Sequence, residues 1–144
     1  MNSKNKKRPI VLISCVKSKQ TVPSEAQELY ISPLFKKMMR YALLLEPKEI
    51  LILSALHGLL DLDTVISPYE KTLSNMKVKD RKEWSDEVIA SLEERCDLQN
   101  DDFVLLAGRK YSEFLAPRLA HVTQPMDGLS QGRRLKWLNE QCHV

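Results

Sequence analysis

"ILILSALHGLLD", residues 50–61, opens as a buried strand and then stops reading as one. Ile50 to Leu53 are apolar enough for the interior of a sheet, whereas Ser54, His57 and Gly58 break the run. A continuous apolar run, as opposed to an alternating one, marks a strand covered on both faces, as in a parallel sheet between helices. The same pattern occurs at Pro9-Ile10-Val11-Leu12-Ile13, ahead of Ser14-Cys15, and again at Phe103-Val104-Leu105-Leu106-Ala107. His121-Val122-Thr123 reads as a short fourth strand.

Helical stretches lie between these runs. Ser32 is placed to cap a helix with Pro33 at its first position, and Leu34, Met38, Tyr41, Ala42 and Leu45 follow at helical spacing. Asp80 to Arg95 carries Trp84, Val88 and Leu92 on one stripe. Tyr111 to Leu119 and Ser130 to Gln141 read as two further helices, and Trp84 and Trp137 as packing residues. Strands alternating with helices imply βαβ units. The expected architecture is therefore α/β: a single three-layer domain with a mostly parallel sheet of about four strands flanked by helices. Residues 9–144 read as that domain and residues 1–8 as a basic, flexible N-terminal arm.

The composition agrees with a globular chain: of 144 residues, 43% are hydrophobic and 28% charged. No apolar stretch approaches the roughly 18 residues a membrane helix needs, which argues against a membrane partner. The arm also lacks the apolar segment of a secretory signal, so the expected location is cytoplasmic. Cys15, Cys96 and Cys142 are an odd set at wide spacing, which suits neither a disulfide framework nor a zinc site. No metal or cofactor is expected. The net charge of +3 resides in Lys4, Lys6, Lys7 and Arg8; without them 18 basic residues face 19 acidic ones. Such an arm is either a solvated tail or a contact for phosphate backbone.

The chain holds four glycines, Gly58, Gly108, Gly128 and Gly132, and each falls in a segment that follows an expected strand. In an open parallel sheet, ligands bind outside the carboxyl ends of the strands. The post-strand segments "SCVKSK", "SALHGLLD", "AGRKY" and "PMDGLSQGRR" are all small or polar. Ser54, His57 and Gly58 are then expected to end their strand as one wall of a shared site, with Ser14, Cys15 and Gly108 on the others.

In "GLSQGRRLKWL", Gly128 precedes a helix, Ser130 is its expected N-cap, and Gly132, Arg133 and Arg134 fall in the first turn. Free amides at a helix start beside arginine suit an anion such as phosphate. Gly128, Ser130, Gly132 and Arg133 are thus phosphate-binding candidates, and Lys17 and Lys19 offer a second set. Tyr69 in "SPYEKTL" and Tyr111 in "AGRKYSEF" are placed to stack on a base or to serve as partly buried anchors. His57, the only histidine in a strand-end loop, is the candidate general acid or base, with Asp127 among its potential carboxylate partners. A hydrogen-bonded structural histidine would leave the same trace in sequence. Cys15 reads either as a nucleophile near Lys17 and Lys19 or as a small apolar residue at a strand end.

Taken together, "SCVKSK", "ELYISPLFKKMMRYA", "ILSALHGLLDLDTVISPYEKTL", "LLAGRKYSEFL" and "PMDGLSQGRRLKWL" resemble a small bacterial and phage family of uncharacterised domains related to the peroxide-stress protein YaaA. The resemblance spans Ile13 to about Leu138. It implies a strand-end ligand site, a link to DNA under oxidative stress, and a comparison with glycosylase-like α/β proteins. This chain is shorter than YaaA, and no Asp or Asn of glycosylase type follows its first strand.

Two functions follow as expectations. The first is a protein directed at a nucleotide or nucleic-acid base, with a site at the strand ends and action on an N-glycosidic bond. The alternative is a non-catalytic DNA-binding protein of a stress-response or phage-defence pathway. That alternative requires one basic face built from the arm, Lys17, Lys19, Arg109, Lys110, Arg133 and Arg134.

Overall fold

The computed structural model describes residues 7–14 and 19–142. Two of the expected ligand residues, Cys15 and Lys17, and the arm up to Lys6 lie outside the described residues.

The apolar runs form strands β1 (Ile10–Ser14), β3 (Glu49–Ser54) and β6 (Asp102–Leu106). β1 lies between the other two, parallel to both, in register Leu12↔Leu51 and Leu12↔Leu105. A strand flanked on both sides and covered on both faces has no surface left for polar side chains, which accounts for the unbroken apolar sequence. Val11, Leu12, Ile13, Leu51, Ile52, Leu53 and Leu106 are all at 0% exposure. β7 (His121–Thr123) extends the sheet in parallel beyond β6.

The far edge departs from the sequence expectation. Gly58–Asp61 is a strand, β4, paired antiparallel to β3 with Ser54 opposite Gly58 and Leu51 opposite Asp61. The sheet therefore has five strands, in the order β4-β3-β1-β6-β7. The interruption at Ser54–Gly58 is a hairpin: Ala55, Leu56 and His57 form the loop, and Gly58 adopts φ +71°. Three-residue hairpin loops need a left-handed residue near their end, which glycine supplies without steric cost. A short antiparallel return on an edge carries too few residues to show a period, so it reads as a loop in sequence.

Helix α2 (Pro33–Leu44) begins as expected: Ser32 Oγ accepts the backbone N–H of Phe35 at 3.2 Å, and Pro33 occupies the first turn. Before it, a two-stranded ribbon pairs β2 (Ser24–Glu25) with β5 (Val65–Ile66), and α1 (Ala26–Leu29) follows β2 directly. α3 (Val78–Glu93) buries Trp84, Val88 and Leu92, and α5 (Gln131–Gln141) packs beside α2. The helix expected over Tyr111 to Leu119 is instead a single turn, α4 (Arg109–Ser112), followed by a separate 3₁₀ turn at Ala116–Arg118. Pro117 lacks an N–H and clashes with the preceding turn, so the helix cannot run through it.

The connection from β1 through α2 to β3 moves one way across the sheet, and the connection through α3 to β6 moves back past β1. Right-handed crossovers in opposite directions place α2 and α3 on opposite faces, giving three layers. They also leave a switch point between β1 and β6, where the strand-end connections diverge and a crevice opens.

Candidate functional site at the carboxyl ends of the strands

A cleft of about 670 Å³ opens at that switch point. Ser14, the last residue of β1, and Gly108, just past the end of β6, form its floor. Lys19, Tyr69 and Tyr111 also line it, as do Ser32, Glu70, Thr72, Asn75, Gln131 and Arg134. Of the expected site residues, Ser14, Lys19, Tyr69, Gly108 and Tyr111 thus come together in one cavity. Its volume is within the range of small-molecule sites, roughly 300–1,000 Å³.

The Tyr69 wall is fixed from behind by hydroxyls. The Tyr69 OH lies 2.6 Å from the Tyr30 OH and 2.7 Å from Ser54 Oγ. Ser54 Oγ also accepts the backbone N–H of His57 at 3.0 Å, and the Ser54 carbonyl accepts the Trp84 indole N–H at 2.9 Å. Ser54, at 0% exposure, is therefore a support beneath the cleft and not a surface within it. The Lys19 ammonium sits 4.7 Å from the centre of the Tyr69 ring, within cation–π range. His57 is exposed on the hairpin and meets the Tyr69 ring edge-on at 5.5 Å; it lines neither this cleft nor the one beside it. Tyr111 is 8% exposed and packs edge-on against Trp84, so its ring forms part of the wall.

A second cleft, of about 830 Å³, adjoins the first. Asp127, Gly128 and Ser130 line it, together with Arg109, Ser112, Glu113 and Gln124. Gly128 has φ +81°, a left-handed turn just ahead of α5. Ser130 Oγ accepts the Arg133 N–H at 3.4 Å, as the sequence led one to expect of an N-cap. Arg133 and Gly132 are exposed and line neither cleft.

Arg134, which the sequence placed in the first turn and in the basic face, was not among the phosphate-binding candidates. It lines both clefts, and its Nε is buried with no hydrogen-bond partner among the described residues. An added Cβ on Gly108 would lie 3.6 Å from Arg134 Nη1, ordinary contact distance, so the guanidinium lies against the end of β6. The signal was present in the helix period: Arg134 and Gln131 stand four and seven residues before Leu138, the fully buried anchor of α5. Arg133 points away from that stripe.

Among the described residues no group of three or more His, Cys, Asp or Glu is placed to hold a metal ion, and no helix is long and apolar enough to cross a membrane. Comparison with known proteins returns a match of residues 10–140 to a family of unknown function, DUF6884. No curated protein and no solved structure matches the chain.

Proposed function

The chain belongs to DUF6884, an uncharacterised family that brings no activity with it, and we propose that it binds a phosphorylated nucleotide or nucleic-acid base unit at the switch-point cleft. The observation that carries this reading is the convergence of three cations from distant parts of the chain, Lys19 after β1, Lys71 after β5 and Arg134 on α5, on a polar crevice at the carboxyl ends of parallel strands. A half-buried guanidinium whose Nε has no acceptor among the described residues favours an anionic ligand, and its planar fork suits phosphate. Ser14, Thr72 and Asn75 add neutral hydrogen-bonding groups for a sugar or a base edge.

If the bound unit is turned over at its N-glycosidic bond, the group needed is a carboxylate beside the sugar to stabilise positive charge on it. Glu70 in the first cleft and Glu113 and Asp127 in the second are the carboxylates with that access; His57 serves the Tyr69 wall. The resemblance to YaaA-related domains read from the sequence motifs, which the family match does not itself carry, suggests the glycosidic bond as the reaction to try first.

The alternative of one continuous basic face receives less support. Arg8 donates to the carbonyls of Glu46 and Pro47 at 2.8 and 3.0 Å, and Lys7 to that of Asn100. These anchors sit at the amino ends of β3 and β6, about 16 Å of strand away from the cleft at ~3.3 Å per residue.

The test is a titration with nucleoside monophosphates, followed by calorimetry and by chromatography for released base. Saturable binding that falls at least about tenfold in Lys19→Gln and in Arg134→Gln supports the reading, since a charge-assisted hydrogen bond is worth roughly 1.5–3 kcal/mol. Absence of binding by every mononucleotide, or binding indifferent to both substitutions, refutes it.

A further inference from the structure

The two clefts are separated by very little. Two short segments form the ridge between them: residues 108–112, where Gly108 and Tyr111 line the first cleft and Arg109 and Ser112 the second, and residues 130–134, where Gln131 lines the first and Ser130 the second. Arg134 alone lines both. We infer that the two clefts form one bipartite site whose ligand is two nucleotide units joined by a phosphate, with the bridging phosphate on Arg134. The inference rests on the nucleotide reading of the first cleft and extends it to the ligand's size and connectivity.

The chemistry of each part fits this division. An arginine shared by two cavities, with no partner for its buried Nε among the described residues, brings its charge to an anion lying on the ridge between them. Its guanidinium lies beside Gly108 on that ridge, with Nη1 3.6 Å from where a Cβ would stand. On one side Lys19 lies beside Tyr69 and would meet a terminal phosphate. On the other, Arg109 supplies a cation, while Asp127 and Glu113 supply carboxylates. Carboxylates repel phosphate but accept hydrogen bonds from sugar hydroxyls, so the second cleft suits a nucleoside attached through its phosphate better than a free phosphate. Glu113 is steadied for that role by Arg81, whose Nη1 lies 3.5 Å from its carboxylate and whose residue is 4% exposed. Each cavity is large enough for one unit, at about 670 and 830 Å³.

The experiment titrates the protein with a panel of ribo- and deoxyribonucleoside monophosphates and with the 5′-phosphorylated homodinucleotide of each. The expected result is a dinucleotide that binds at least about tenfold tighter than its mononucleotide, the gain of one further charge-assisted contact. Arg109→Gln, at an exposed position whose loss leaves folding intact, lowers dinucleotide affinity by more than mononucleotide affinity. Arg134→Gln lowers both, and Arg134→Lys, which keeps the charge without the fork, restores part of the loss; melting curves confirm that both variants fold. A longer single strand in the same titration separates the two sources of such a ligand. Affinity equal to the dinucleotide marks a strand end and loss of binding marks a free dinucleotide, and each supports the bipartite site. Mononucleotide binding with no gain for any dinucleotide overturns the inference and leaves the single-cleft reading standing. Failure of both ligand classes overturns both.

Discussion

Replacing Tyr69 by phenylalanine removes one oxygen and keeps the ring. That oxygen touches two buried hydroxyls, Tyr30 OH at 2.6 Å and Ser54 Oγ at 2.7 Å, on residues that are 1% and 0% exposed. A hydrogen bond of this kind contributes about 1 kcal/mol net, so losing two costs about 2 kcal/mol. For a chain of 144 residues that corresponds to a fall in Tm on the order of 6–10 °C. The assay is reversible thermal or urea unfolding of the wild type, Tyr69→Phe, Ser54→Ala and the double variant. Because Ser54 and Tyr69 share a bond, the two substitutions should not add; the double variant should be more stable than the sum by ~1 kcal/mol. Additivity within ~0.3 kcal/mol, or a Tyr69→Phe cost below ~0.5 kcal/mol, would show that the hydroxyls do not act as one unit. A Tyr69 wall held this way should also make ligand affinity fall in Ser54→Ala, although Ser54 lies beneath the cleft.

Two further predictions concern backbone and thiol. Gly58→Ala should cost about 1–2 kcal/mol in urea unfolding because φ +71° is unfavourable for any side chain, and not because of space, since the nearest neighbour of the added carbon is Val88 Cγ2 at 3.9 Å. Gly108→Ala, with ordinary backbone angles and 3.6 Å to Arg134, should change stability little while disturbing ligand affinity, and equal costs at the two glycines would contradict the hairpin reading. Burial, and then the nearby Glu49 and Asp101 carboxylates, push the Cys96 thiol up. A raised folded value means the proton is held more tightly in the native state, so its contribution is present below the unfolded thiol value near 8.5 and is lost as pH rises through the folded one. Cys96→Ala should therefore flatten the decline of stability above pH ~8.5, and Cys96 should alkylate more slowly than glutathione at pH ~8; an unchanged alkaline decline, or alkylation at the glutathione rate, would contradict a half-buried thiol with a raised pKa.

The centre of the fold was readable because it obeys one rule. β1, β3 and β6 each lie between two strands, and past Glu49 and Asp102 their runs are apolar and almost wholly buried, unlike those of edge strands. Ser32 and Ser130 were readable for an equally local reason, the side-chain oxygen that takes up an N–H of the first turn. β4 was not, since its pairing is decided by the left-handed turn at Gly58 and by the partner strand, neither of which leaves a period in four residues. The site divides along the same line. Ser14 and Gly108 follow directly from their strands, whereas Glu70, Thr72 and Asn75 arrive on the connection between β5 and α3, whose path depends on the Tyr30–Tyr69–Ser54 contact. Choosing Arg134 over Arg133 required the orientation of α5, which Leu138 sets by burying itself against the core. His57 looked catalytic by type and by place, but the hairpin turns its loop outward onto the Tyr69 edge.

The most direct measurement is a map of backbone amide shifts on titration with the tightest-binding mononucleotide. A ligand at the switch point moves the amides of Ser14, Lys19, Tyr69, Gly108 and Gln131, and those of Asp127 and Gly128 follow when a dinucleotide replaces it. Shifts confined to Lys48 and to Arg95–Asp101, at the opposite end of the sheet, would contradict a strand-end site altogether.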